Sequence, residues 1–210
     1  MLGDFWTVSL TVLWGVVFVN LLLTVRIVRW ARAVEDADRR SIEMENVPEL
    51  PTGAPAPAFS TKTLAGEPVN LASYAGRSVT FVFTSPLCGS CRDEMPLFVR
   101  LGKLAESRMN DRVVLVSDQG IAETNAWINT IQKEDNVKVD LQVLVARPGV
   151  SRFFNDYNPR GWTPYFCSID SQGTVQARGL IGSDAWSELL LQWETAPRTE
   201  RPTRPVNRYR

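Results

Sequence analysis

An apolar run, Ser78-Val79-Thr80-Phe81-Val82-Phe83-Thr84, is stopped by Ser85-Pro86-Leu87 and followed at once by Cys88-Gly89-Ser90-Cys91. Its β-branched and aromatic residues suit a buried strand. The residues from Cys88 onward read as the start of a helix, so two thiols meet where a core strand turns into a helix. A cysteine at a helix N-terminus faces unpaired backbone N–H groups and the positive end of the dipole, and both favour thiolate. Cys91 stands within reach to close a disulfide with Cys88. This spacing predicts thiol–disulfide chemistry.

Composition narrows the alternatives. The 210 residues include no histidine, which removes most catalytic triads and nearly all zinc-enzyme sites. Iron–sulfur and structural zinc sites also use paired cysteines, but they need about four ligands. Cys167 is the only other sulfur of that type, so no metal or bound cofactor is expected. Cys167 alternates with Phe166 in an apolar run and reads as a small buried side chain. Basic and acidic residues balance at 23 each, which gives no bulk electrostatic reason to bind nucleic acid.

Twenty-one positions from Phe5 to Val25 carry no formal charge. As a helix they would be roughly 31 Å long, close to a hydrocarbon core of about 30 Å. Trp6 and Trp30 read as interfacial anchors. A cleaved signal peptide would want basic residues in front and a small-residue cleavage site behind. Here Asp4 stands in front, and Arg26, Arg29 and Arg32 stand behind. We therefore expect an uncleaved, single-pass transmembrane anchor over residues 1–30. The Arg-rich flank would keep the following domain cytoplasmic by the positive-inside rule. Tethered dithiols are most useful where disulfides persist, on the other side.

Residues 31–57 are expected to form a charged juxtamembrane helix and a Pro-rich linker, and residues 58–195 a single globular domain. In that domain Phe59–Leu71 reads as a hairpin, bent at Gly66-Glu67-Pro68. Strands at 78–84, 112–116 and 141–146 alternate with helices at 88–109, 121–133 and 150–156. Asp170-Ser171-Gln172-Gly173 is a turn between two antiparallel strands, and a last helix runs from Ser183. This order predicts an α/β sandwich with a mixed sheet. The tail, residues 196–210, holds five arginines among three prolines and reads as a solvated, disordered terminus.

Cys88-Gly89-Ser90-Cys91 after a buried strand, with Thr163-Pro164 ahead of a later strand, resembles the thioredoxin fold. The continuation Arg92-Asp93-Glu94-Met95-Pro96 and the stretch from Thr163 to Val175 are closer to the TlpA/ResA-like membrane-anchored branch. The anchor followed by Gly53-Ala54-Pro55-Ala56-Pro57 is similar to the MauD-like proteins of methylamine dehydrogenase assembly. The resemblance implies a thioredoxin-like three-layer sandwich with a mixed central sheet. It implies that Cys88 attacks and Cys91 resolves the mixed disulfide. It further implies that Pro164 is cis, that Thr163, Pro164 and Leu87 receive the substrate, and that Glu94 carries the Cys91 proton. The partners implied are protein thiols or disulfides and a redox partner protein, with the domain outside the cytoplasm.

Departures qualify it. Leu87 replaces the Trp of many relatives, Ser90 replaces the thioredoxin Pro, and Val82 replaces its buried Asp. Three alternatives remain open: a reductant in cytochrome c maturation, a non-catalytic membrane-tethered assembly factor, and a peroxiredoxin. The last would want Pro and Thr upstream of its cysteine, where Phe81 and Ser85 stand.

Overall fold

The computed structural model describes residues 14–15, 17–29 and 47–197. They fall into two units, one ending at Val47 and one starting at Pro48. In the first, residues 17–29 are helical, and Phe18, Leu21, Leu22, Leu23 and Ile27 are all exposed. Among the described residues no helix is long and apolar enough to cross a membrane. The expected span starts at Phe5, so residues 5–13 and 16 of it lie outside the described residues. So do Trp6, Trp30, the juxtamembrane helix expected after Trp30 and the tail from residue 198.

The second unit is built on a seven-stranded sheet in the order β2-β1-β5-β4-β3-β6-β7. β1 (Ser60–Thr63) and β2 (Pro68–Asn70) form the expected hairpin, antiparallel to each other. β3 (Val79–Thr84), β4 (Arg112–Ser117) and β5 (Gln142–Val145) run parallel at the centre. β6 (Tyr165–Ile169) pairs antiparallel with β3, and β7 (Val175–Leu180) with β6. The sheet is therefore mixed. All six residues of β3 are buried, as its composition requires of a strand covered on both faces.

Alternation along β3 divides the core into two layers. Phe81 and Phe83 point to one side, where they meet Phe153, Phe154 and Tyr157 of α4 (Arg152–Tyr157). There Phe59 stacks on Phe153 with ring centroids 3.9 Å apart, and Phe81 meets Phe153 edge-on. This aromatic packing, rather than propensity, holds so short a helix. Val82 points to the other side. It joins residues of α1 (Gly89–Asp93), α2 (Met95–Met109), α3 (Ile121–Glu134) and α5 (Asp184–Thr195). Helices thus cover both faces, giving the three-layer sandwich.

Two features differ from expectation. The helix expected from Cys88 to about Met109 is broken at Glu94, which ends α1 and begins the approach to α2. Pro96 is the cause. It has no N–H to give, and its ring would crowd the carbonyl of Arg92 in a continuous helix. In the first turn of α2 neither matters. The Pro-rich stretch from Pro48 is packed on the compact unit. Gly53 N–H donates to Val175 O at 2.8 Å, Val175 N–H to Ala54 O at 2.9 Å, and Ala56 N–H to Gly173 O at 2.8 Å. Its prolines keep it extended, so its free N–H and C=O groups meet the open edge of β7. Glu49 then pairs with Arg160 at 3.1 Å and with Arg178.

Candidate active site

Cys88 closes the turn after β3. It is the N-cap of α1, with extended backbone at φ −99° and ψ 112°. Cys91 N–H donates to its Sγ at 3.3 Å, and Ser90 Oγ lies 3.5 Å from the same sulfur. The Cys88 thiol reaches Thr163 O at 3.5 Å, and the Thr163–Pro164 peptide bond is cis. Cys88, Ser90, Cys91 and Thr163 thus form one cluster, assembled from α1 and the loop before β6.

The two sulfurs sit in opposite surroundings. Partial burial is the largest single influence on Cys88 and raises its pKa. Hydrogen bonds from the Cys91 thiol, the Ser90 hydroxyl, the Cys91 N–H and Thr163 outweigh it, so the net shift is downward. α1 is five residues long, so these direct contacts act in place of a long helix's dipole. Cys91 is fully buried. Burial, then its bond to Cys88, push its thiol up to about 12, against a hydrogen bond from the Ser85 backbone. The exposed sulfur is therefore the one that ionises more easily, and the buried one holds its proton. Both are free thiols.

The remaining sequence candidates separate. Leu87, beside Cys88, is 85% exposed and offers an apolar contact. Glu94 is half-buried at the α1–α2 break, with its N–H on Ser90 O at 3.0 Å. Arg92 points to the end of α3 instead of the thiols, gripping Asp135 twice at 2.8 Å and Glu134 at 2.7 Å. Cys167 is fully buried in β6 among the α4-side residues, whereas Cys91 belongs to the other layer. The sheet separates the two. Among the described residues no three His, Cys, Asp or Glu side chains converge as a metal site would require.

Sequence reasoning missed Ser85 and Asp118. Ser85 O accepts the Cys88 N–H at 3.1 Å and Ser85 Oγ accepts the Leu87 N–H at 3.1 Å. Asp118 follows β4, and its N–H donates to Thr84 O at 3.1 Å, next to Ser85 in the chain. Only the alignment of β3 with β4 brings them together, through Thr84 opposite Ser117. Nothing local in Ser117-Asp118-Gln119 signals it.

Residues 52–178 match the model of the AhpC/TSA family. The chain belongs to the AhpC/TSA family. The thioredoxin-like protein YneN of Bacillus subtilis is 28% identical over 59% of this chain and 68% of its own length. The methylamine utilization protein MauD of Methylobacillus flagellatus is 25% identical over 88% of this chain and 84% of its own. A thiol:disulfide interchange protein of the thioredoxin family from Chlorobium tepidum superposes with a TM-score of 0.51. It is 27% identical and covers 71% of this chain and 99% of that one. The AhpC/TSA-family chain is thus of the thioredoxin-like, TlpA/ResA/MauD-like kind, and it is an oxidoreductase.

Proposed function

We propose that the chain exchanges disulfides with protein clients, with Cys88 as the attacking thiol and Cys91 as the resolving one. The observation that carries this reading is the division of labour between the sulfurs: Cys88 half-exposed with a lowered pKa, Cys91 buried with a raised one. As reductant, the Cys88 thiolate attacks a client disulfide, its S–S bond breaks, and one client sulfur leaves as a thiol. Cys91 then gives up its proton and attacks Cys88 Sγ. The second client thiol departs, and two electrons have moved from the dithiol to the client. Oxidation is the same path in reverse, and the partner's potential decides between them. Thr163 and Pro164 line the approach to Cys88, and Leu87 supplies an apolar contact for the client. Glu94, one turn beyond Cys91, is the carboxyl that would pass its proton to solvent. A resolving thiol built in beneath the first favours protein disulfides over peroxide.

The anchor is part of this reading. Support for it comes from the exposed apolar side chains along residues 17–28 and from the uncharged run extending back to Phe5. The similarity to MauD spans 188 residues, too many for residues 48–210 alone. We place the domain outside the cytoplasm, where a client's disulfides persist, although Arg26, Arg29 and Arg32 favour the reverse. The client would then be a disulfide-rich subunit of a periplasmic enzyme such as an amine dehydrogenase.

Trapping tests this. Full-length Cys91→Ser in its native membranes should accumulate a client as a mixed disulfide through Cys88, identifiable by mass and lost in Cys88→Ser/Cys91→Ser. No thiol-sensitive adduct through Cys88 would refute the mechanism.

A further inference from the structure

The loop that brings Thr163 to Cys88 belongs to no helix or strand between α4 and β6, so other bonds must set its shape. It reads Asn158-Pro159-Arg160-Gly161-Trp162-Thr163-Pro164. Pro159 disfavours helical backbone at the residue before it, and Asn158 ends α4 at φ −138° and ψ 63°. Gly161 N–H then donates to Asn158 O at 2.9 Å, closing a turn with Asn first, Pro second and Gly fourth. Gly161 takes φ +67° there, where a Cβ would strain the backbone.

Asn158 is 1% exposed, and both ends of its amide act on a single residue. Its Oδ1 accepts the Trp162 N–H at 3.1 Å, and its Nδ2 donates to Trp162 O at 2.6 Å. Bonds to both backbone groups of one residue fix its rotation as well as its distance. Asn158 is itself held from behind. Its N–H donates to Phe154 O at 2.8 Å, and Phe154 and Tyr157 of α4 are buried in the aromatic layer. The Trp162 indole is held separately, beneath the Arg160 guanidinium at 4.6 Å. Thr163 is the next residue, and its carbonyl oxygen lies 3.5 Å from Cys88 Sγ. The backbone of Trp162 thus turns to Asn158, whereas the Thr163 carbonyl turns to the reacting sulfur.

Resting on the dithiol reading above, we propose that Asn158 is a positioning residue that sets the preference of the site for peptide disulfides. Its two-point grip on Trp162 holds the Thr163 carbonyl beside Cys88. Once the Cys88 thiol has lost its proton, that carbonyl is free to accept a backbone N–H next to the sulfur of a client. A disulfide carried on a peptide gains this bond. A small disulfide without a hydrogen-bond donor gains nothing from it. Asn158 therefore separates the two classes while touching neither.

Two probes in excess over the reduced full chain test this. One is the symmetric disulfide of a blocked five-residue peptide with cysteine at its centre. The other is 5,5′-dithiobis(2-nitrobenzoate), which has no hydrogen-bond donor at neutral pH. With either, Cys88 forms a mixed disulfide and displaces one thiol. Cys91 then displaces the second, so the dithiol is oxidised by two electrons and the probe reduced. Quenching with N-ethylmaleimide and reading the chain by mass gives both rates. A change in Cys88 itself moves the two rates alike, so their ratio reports the loop. Asn158→Ala should lower the ratio of peptide to small-disulfide rate roughly tenfold, as expected for one misplaced hydrogen bond. Asn158→Asp keeps Oδ1 and the shape but loses the donor to Trp162 O. It should lower the ratio too, and it carries the test where Asn158→Ala shows no cooperative urea transition. An asparagine that only capped α4 would cost stability toward urea and leave the ratio as it was. An unchanged ratio in a folded variant, or a wild type oxidised by the small disulfide alone, would overturn the inference while leaving the dithiol reading intact. A wild type that neither probe converts to the Cys88–Cys91 disulfide would instead sink the dithiol reading itself.

Discussion

Cys88 is tuned by contacts that can be removed one at a time. Ser90 Oγ lies 3.5 Å from its sulfur and is one of the groups that lower its pKa. Ser90→Ala raises that pKa, so less thiolate is present at any pH below it. Alkylation of Cys88 by iodoacetamide at pH 7 should then slow roughly threefold, the size of one neutral hydrogen bond. Unchanged alkylation would mean that the Cys91 and Thr163 contacts carry the effect without Ser90. At this scale spacing signalled the Cys88–Cys91 pair, whereas Thr163 was named only through the resemblance, and the structure brings its carbonyl oxygen to the Cys88 thiol. Arg92 was not legible as a partner of α3, since its acceptors lie more than forty positions away. Asp118 was not legible at all. Its place beside Ser85 comes from strand pairing, and no local pattern encodes that.

Among the elements, the segment before β1 is the instructive one. Four prolines and a glycine between Pro48 and Pro57 read as a spacer, and prolines do keep it extended. Its pairing with β7 and the pairing of half-buried Glu49 with Arg160 and Arg178 come from what the sheet edge offers. Arg160 belongs to the loop that leads to Thr163, and it covers the Trp162 ring at 4.6 Å. Replacing Glu49 with Ala leaves two partly buried guanidinium groups without that carboxylate. We expect a loss of about 2–3 kcal/mol in chemical denaturation. A change within the error of the measurement would show the ion pair to be a surface ornament. The break at Glu94 was written in Pro96 and could have been taken from it directly.

For the whole molecule, stability should depend on pH through a carboxyl far from the dithiol. Asp111 precedes β4, and its Oδ2 accepts from Thr80 at 3.1 Å and from Trp193 at 2.9 Å. Its Oδ1 is buried without a partner, and burial raises its pKa to about 6, against those donors and the Arg112 N–H. The folded state thus binds this proton more tightly than the unfolded one. The contribution is fully present below pH ~3.8 and is lost as pH rises through about 6, a change of about 3 kcal/mol. Urea denaturation between pH 4 and 7 should show this fall, and Asp111→Asn should flatten it. Identical slopes in both proteins would remove Asp111 as the cause. By itself the sequence determined the alternation of strands and helices, the burial of β3, and the placing of two thiols at its end. These follow from local composition and spacing, which act within a few residues of chain. Only the tertiary structure decided which thiol is open and which buried, which sheet face hides Cys167, and which carboxyl reaches Trp193. Burial and long-range hydrogen bonding are properties of the assembled sheet, and no window of sequence contains them.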